Sequence, residues 1–423
     1  MLDASLQLLS VSPFPPSPPS FGAQRRIHGL LTALARRHSV TALSLVPPDP
    51  EPSREQIESA MAEYCREVVL VPSPGVRGAG KRLLQLRALL SRRSFERLAM
   101  ASARFRAELR RLLAARAYDV VLLEFPFLAA DVLSDPPPGR PRPLHVLDTH
   151  NIEFELARQQ AAREHGLLRH LHNGANWPKL RREEADAFRR FDGVIFCSDL
   201  DASVGRELVP SVRSTVVPNA VDVDAFSPRP ELPPPDGRTV LFFGALNYFP
   251  NVDGILFFLR EVWPLLAASH PECRLKIVGQ HPTREILSFQ GPRVEVTGRV
   301  DDVRPHLAAA AVTVVPLRIG GGTRLKIVEA MAMARPVVST RVGAEGLDAR
   351  HGEHLLLGDD APGLAAAAGR VLDDPALGRA LGQAGRRLVQ QRYSWAAAGS
   401  ALERFLRELG AGAGVAGEAA GAG

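Results

Sequence analysis

Between residues 239 and 340, five short runs of Val, Leu, Ile and Phe alternate with helix-length stretches, and seven similar runs do so between residues 6 and 218. Strands separated by helices are joined by crossovers, which bring the chain back parallel to the strand it left. The pattern therefore calls for parallel sheets with helices on both faces. The expected strands are LQLLSV (6–11), VTALSLV (40–46), EVVLV (67–71), DVVLLEF (119–125), LHVLDT (144–149), GVIFCS (193–198) and STVVP (214–218), followed by TVLFFG (239–244), RLKIVG (274–279), RVEVTG (293–298), VTVVPL (312–317) and PVVST (336–340). The fold class is α/β, with two doubly wound sheets.

A chain of 423 residues exceeds what one core organises, in keeping with two domains. FSPRPELPPPDGRT (226–239) is too rich in proline to join either sheet and is taken as a linker. The expected organisation is a first domain over 1–225, the linker 226–239, a second domain over 240–396, a C-terminal helix over 397–409 packing back on the first domain, and a Gly/Ala tail (410–423) without structure. Ligands of open α/β sheets sit beyond the carboxyl ends of the strands, so both domains are expected to offer such ends to one crevice.

No run of about 18 uninterrupted apolar residues occurs, and the first residues lack a basic segment and a cleavage site. Cys65, Cys197 and Cys273 have no metal-type spacing. A soluble protein of the reducing cytoplasm is expected. Lys81, Lys179, Lys276 and Lys326 are the only lysines among 52 cationic residues, so the arginine bias is general and does not point to nucleic acid. From Arg77 to Arg116, however, twelve Lys or Arg face two acids. KRLLQLRALLSRR (81–93) reads as an amphipathic helix able to lie on anionic lipid or, equally, as a solvated face.

The stretch PLRIGGGTRLKIVEAMAMARPVVST (316–340) carries the chemistry. Glycines after a strand permit close backbone approach, and the helix expected to begin near Thr323 aims free N–H groups and a partial positive charge at whatever lies there. Arg324 and Lys326 add full charges that oppose the helix dipole unless an anion is bound. A diphosphate resolves that conflict. Glu329 lies on an otherwise apolar helix, where ribose hydroxyls would be suitable donors. The alternative is an ion pair between Glu329 and Lys326 closing a structural helix.

The same stretch, followed by GAEGL (343–347), resembles the nucleotide-sugar site of glycosyltransferase family 4, of the two-Rossmann-domain GT-B class. Other pieces agree in order: SPFPPSPPSFGAQRRIHGLLTALARRHSVTALSL (12–45), LDTHNIEFELARQ (147–159), FDGVIFCSDLD (191–201), VVPNAVDVDAF (216–226), FFGALNYFPNVDGILFF (242–258) and TGRVDDVRPHLAAAAVTVVPL (297–317). The resemblance implies that Glu329 holds the ribose, that Arg324 and Lys326 neutralise the leaving diphosphate, and that Gly320, Gly321, Gly322 and Thr323 give close access, with Gly244 and Gly22 also on the donor side. Relatives often carry two glutamates eight positions apart, and here Gly321 stands at the first. His150 is implied to contact the donor sugar, although an isolated His in a turn can be structural. Asn151 and Glu124 are acceptor-side candidates, Glu124 as a base or as a cap on a neighbouring helix.

The implied reaction is retaining transfer of a glycosyl group from a nucleoside-diphosphate sugar, a co-substrate rather than a cofactor, to a hydroxyl of a glycan or lipid-linked acceptor. No metal is implied. The nearest sequence to an Asp-x-Asp motif, DVD (222–224), lies in the approach to the linker. Two other readings stay open: a nucleotide-sugar-binding scaffold without turnover, and a GT-B epimerase. GVRGAGKR (75–82) also approaches the phosphate loop of an NTPase, but with Arg82 where Ser or Thr would hold magnesium.

Overall fold

The computed structural model describes residues 5–75, 78–133, 142–163, 167–320 and 324–420. Two compact units divide the chain: Met1–Pro218 together with Ala398–Gly423, and Asn219–Ala397.

In the first unit, β1 (Gln7–Ser12), β2 (Ser39–Val46), β3 (Glu67–Pro72), β4 (Val120–Glu124), β5 (Leu144–Asp148), β6 (Gly193–Phe196) and β7 (Ser214–Val216) form a seven-stranded sheet. All its pairings are parallel, in the order β3-β2-β1-β4-β5-β6-β7. In the second unit, β8 (Thr239–Phe243), β9 (Arg274–Val278), β10 (Val294–Gly298), β11 (Val312–Val315), β12 (Val337–Ser339) and β13 (Leu356–Leu357) form a parallel sheet ordered β10-β9-β8-β11-β12-β13. Strand order reverses between β1 and β4 in one sheet and between β8 and β11 in the other. At such a switch point the flanking helices leave on opposite faces and open a crevice at the carboxyl ends.

Strand β8 explains the unbroken apolar runs. Successive side chains alternate between faces, so Val240 and Phe242 enter one core with Ile255, Phe258 and Ile277, while Leu241 and Phe243 enter another with Val315, Ile327 and Met331. Both faces are covered. Every expected strand is present within two residues of its bounds; β13, two residues long, carries too little pattern to be anticipated.

The proline-rich stretch 226–239 does not lie free between the units. Phe226 and Leu232 pack on the second core, and Arg386 Nη1 donates to Phe226 O at 3.2 Å. Its prolines exclude it from the sheet but leave its apolar side chains able to dock. The C-terminal helix spans Trp395–Ala420. From Ala398 it belongs to the first unit, where Leu402, Phe405, Leu406 and Leu409 are buried and Glu403 pairs with His38 at 2.9 Å. The tail beyond residue 410, expected to lack structure, continues that helix to Ala420. Alanine, the strongest helix former, supplies the propensity there.

Candidate active site

In the second unit the site is built at the switch point. Helix Leu325–Ala332 follows β11 and is buried almost all round, through Ile327, Val328, Glu329, Ala330, Met331 and Ala332. Its N-cap is Arg324, without a side-chain cap. The anticipated start near Thr323 thus moves two residues on, and Gly321, Gly322 and Thr323 lie outside the described residues. Arg324 is itself buried, and its Nη2 donates to Val342 O at 3.3 Å. Gly320 has φ +142°, and a Cβ there would stand 2.6 Å from Arg324 Nη2. That position therefore needs glycine for both its backbone angle and its close approach.

Lys326 is placed by a different set of neighbours. Its Nζ donates to Asn251 Oδ1 at 2.7 Å and lies 4.6 Å from the centre of the Phe242 ring. Asn251 is fixed in turn, its Nδ2 donating to Ala245 O at 2.9 Å. Gly244, at φ +144° just beyond β8, brings the backbone under both residues; a Cβ would sit 2.9 Å from Asn251 Nδ2 and 3.1 Å from Lys326 Nζ. Burial, and then the Arg324 guanidinium, bring the Lys326 ammonium down to about 7 against the pull of Glu329. The hydrogen-bond acceptor of Lys326 is therefore Asn251, from another helix, rather than Glu329. Gly244, Gly320, Arg324 and Lys326 lie together beyond the carboxyl ends of β8 and β11, and Glu329 is buried further along the same helix.

In the first unit a second cluster forms at the ends of β4 and β5. His150 is buried, its Nε2 lies 2.8 Å from Glu124 Oε2, and its ring stacks on Phe125 with centroids 4.0 Å apart. Phe125 holds φ +68°, an angle unusual outside glycine, and so turns its ring against His150 directly after Glu124. Arg26, 1% exposed, donates from Nε and Nη2 to the two oxygens of Asp148, at 2.9 and 2.7 Å, and from Nη1 to Val217 O at 2.9 Å. Burial and the neighbouring Asp148 push the Glu124 carboxyl well above its usual range, while burial lowers the His150 imidazole to about 3. Both directions point to a protonated Glu124 beside a neutral His150, and the Glu124 proton has His150 Nε2 and Asp148 within its surroundings.

Glu124 is thus corrected from an acceptor-facing base to a buried partner of His150. It caps no helix either: Oε2 faces the imidazole and no amide donates to Oε1. Substituting it tests the proton assignment. Glu124→Gln, whose amide can still donate to Nε2, should change unfolding stability by less than about 1 kcal/mol, whereas Glu124→Ala should cost about 1–3 kcal/mol by stranding a buried acceptor. Urea unfolding measures both; equal losses would show a carboxylate charge to be required. Glu124, Asp148 and His150 also offer ligand atoms within 4.8 Å of one another. Both Asp148 oxygens already serve Arg26, so a cation among them would meet a guanidinium.

Of the other candidates, Asn151 bonds the Glu153 side chain, which burial raises to about 8. Gly22 opens helix Gly22–Ala35, whose N-cap Phe21 has no capping side chain. Asp222 Oδ1 accepts from the amides of Asp224 and Ala225, making DVD a local turn. In GVRGAGKR, residues 76 and 77 lie outside the described residues, but helix Gly78–Leu90 has already begun before Lys81. Its preceding strand, β3, is also at the sheet edge rather than the switch point. The reading of the sequence missed Asn251 and the Arg26–Asp148 pair. An Asn in the first turn after FFGALNYFP was a usable signal; a pairing over 122 residues leaves none in local pattern.

Two doubly wound parallel sheets, with cations gathered at one switch point, define a GT-B type glycosyltransferase. The profile described as Glycosyltransferase Family 4 matches residues 22–225, and that described as Glycosyl transferases group 1 matches residues 237–374. The chain belongs to glycosyltransferase family 4. It is similar to a glycogen synthase of Mycobacterium tuberculosis, at 27% identity over 401 residues covering 88% of each chain. Among solved structures, sucrose-phosphate synthase from Thermosynechococcus elongatus superposes with a TM-score of 0.74 at 21% identity, covering 96% of this chain and 100% of that one. HepE from Anabaena, in complex with UDP and glucose, gives a TM-score of 0.66 at 16% identity over 95% and 99% of the two chains.

Proposed function

We propose that the protein is a retaining, metal-independent glycosyltransferase that moves a hexosyl group from a nucleoside-diphosphate sugar to a hydroxyl of a glycan or lipid-linked acceptor, in polysaccharide or cell-envelope glycan synthesis. The carrying observation is the placement of Arg324 and Lys326, from one helix start, over Gly320 and Gly244 at the switch point of the second sheet. The Anabaena structure in complex with UDP and glucose supports a nucleoside diphosphate as the class of ligand.

In this reading Arg324 and Lys326 take the diphosphate oxygens and Glu329 takes the ribose. As the bond from the sugar C1 to the diphosphate breaks, the two cations stabilise the charge that develops on the leaving oxygen. The acceptor oxygen bonds to C1 on the same face, and its proton passes to the departing diphosphate. His150, held beside Glu124 and Phe125, contacts the donor sugar, and Asn151 lies on the acceptor side. The protein works at the cytoplasmic face of a membrane, with its peripheral contact inside the basic segment 77–116. Among the described residues, no helix is long and apolar enough to cross a membrane.

A donor-release assay over a panel of nucleoside-diphosphate sugars and acceptors tests the proposal. Acceptor-dependent release of the nucleoside diphosphate without added divalent metal is expected. Binding without release under any acceptor would favour a scaffold instead.

A further inference from the structure

The basic segment is not one surface. Helix Ala103–Ala115 turns Phe105, Leu109, Leu112 and Leu113 into the core, so its arginines are ordinary solvated charges. Helix Gly78–Leu90 does the reverse. It exposes Leu83 (70%), Leu86 (60%), Leu89 (42%) and Leu90 (93%), while Ala88 faces inward at 2%. Positions 83, 86 and 90, spaced three and four apart, lie on one face. Lys179 Nζ donates to Ala88 O and, at 3.5 Å, to Leu89 O, pinning the end of the helix so that it cannot roll the leucines inward.

Lys81, Arg82, Arg87, Arg92 and Arg93 are exposed around this stripe. No Asp or Glu occurs between Arg77 and Phe95, and Glu96, the next acid, is hydrogen-bonded to Asn176 at 2.8 Å. Leucines rimmed by cations on a pinned helix suit a helix lying in a headgroup layer, with its leucines among acyl chains and its cations at anionic headgroups. A protein partner would more often be met by aromatic anchors with few charges near the centre.

We infer that the outer face of helix Gly78–Leu90 is a docking surface for an anionic lipid bilayer, and that the rest of the basic segment is not. What docking achieves, access to a lipid-linked acceptor, rests on the transferase reading; the lipid affinity does not.

The test is flotation of the full-length protein with vesicles of phosphatidylcholine, alone or mixed with phosphatidylglycerol. The protein should float with the anionic vesicles only, and high salt should weaken the association. Leu83→Gln/Leu86→Gln/Leu90→Gln should lower partitioning by more than about tenfold. Arg82→Gln/Arg87→Gln should lower it about fivefold or more, and Arg104→Gln/Arg110→Gln on the other helix should change it less than about twofold. Nucleoside diphosphate binding, followed in the same samples, should be equal in all variants and so report intact folding. Flotation indifferent to phosphatidylglycerol, or undiminished in the leucine variant, would overturn the inference. So would a concentration-dependent dimer abolished by the leucine changes in a protein that does not float. If flotation behaves as expected but no nucleoside diphosphate binds even the wild type, the surface stands and the transferase reading falls.

Discussion

Replacing Arg324 or Lys326 by alanine should each weaken nucleoside diphosphate binding by about tenfold to a hundredfold, the worth of one charge-assisted hydrogen bond of about 1.5–3 kcal/mol. Isothermal titration measures the loss, and unfolding curves taken in parallel show whether the fold is kept. The two cations should differ in their response to pH. Arginine stays charged throughout, whereas Lys326 titrates at about 7 in the free protein. Bound phosphate favours the ammonium, so binding at pH 8 should take up a proton, and affinity should fall as pH rises above about 7. Lys326→Met should abolish that uptake, and Arg324→Ala should retain it.

Without ligand the linkage has the opposite sense to an ordinary salt bridge. The folded value of Lys326 lies below the unfolded value of about 10.4, so between the two the unfolded chain binds more protons and stability rises with pH. Below about 7 the cost of burying the ammonium is fully present. Lys326→Met should therefore stabilise the free protein most at or below neutral pH, with the gain shrinking toward pH 10. In the proposed reading, that cost to the fold is offset by what Lys326 binds.

The second large effect concerns stability alone. Asp148→Ala would leave the Arg26 guanidinium buried at 1% exposure without its carboxylate. Removing one partner of a buried pair costs about 3–5 kcal/mol, which for a unit of this size lowers Tm by about 10 °C. Arg26→Met/Asp148→Ala should recover most of that loss, because the uncompensated charge goes with the arginine. Thermal unfolding of the two single variants and the double variant closes the cycle. Additive losses would mean that the pair contributes little coupling.

Both results bear on how far the chain could be read in advance. The strands were legible because a parallel sheet covered on both faces demands unbroken apolar runs, and β4 and β8 are buried at every position. The helix start at Arg324 was legible because glycines and cations before an apolar helix conflict with its dipole unless an anion resolves them. Glu124 was misjudged because its exposure depends on His150 and on the turn at Phe125, neither of which follows from a strand-end carboxylate. The proline-rich segment was misplaced for a related reason. Proline excludes a stretch from a sheet, yet says nothing of where Phe226 and Leu232 will pack.

The central claim is that the start of helix Leu325–Ala332 receives the diphosphate of the donor. A crystal structure of the complex with a nucleoside diphosphate tests it most directly. Phosphate oxygens within hydrogen-bonding reach of Arg324 and of Lys326 Nζ are predicted. Phosphates bound elsewhere, with Lys326 still directed at Asn251, would contradict the account.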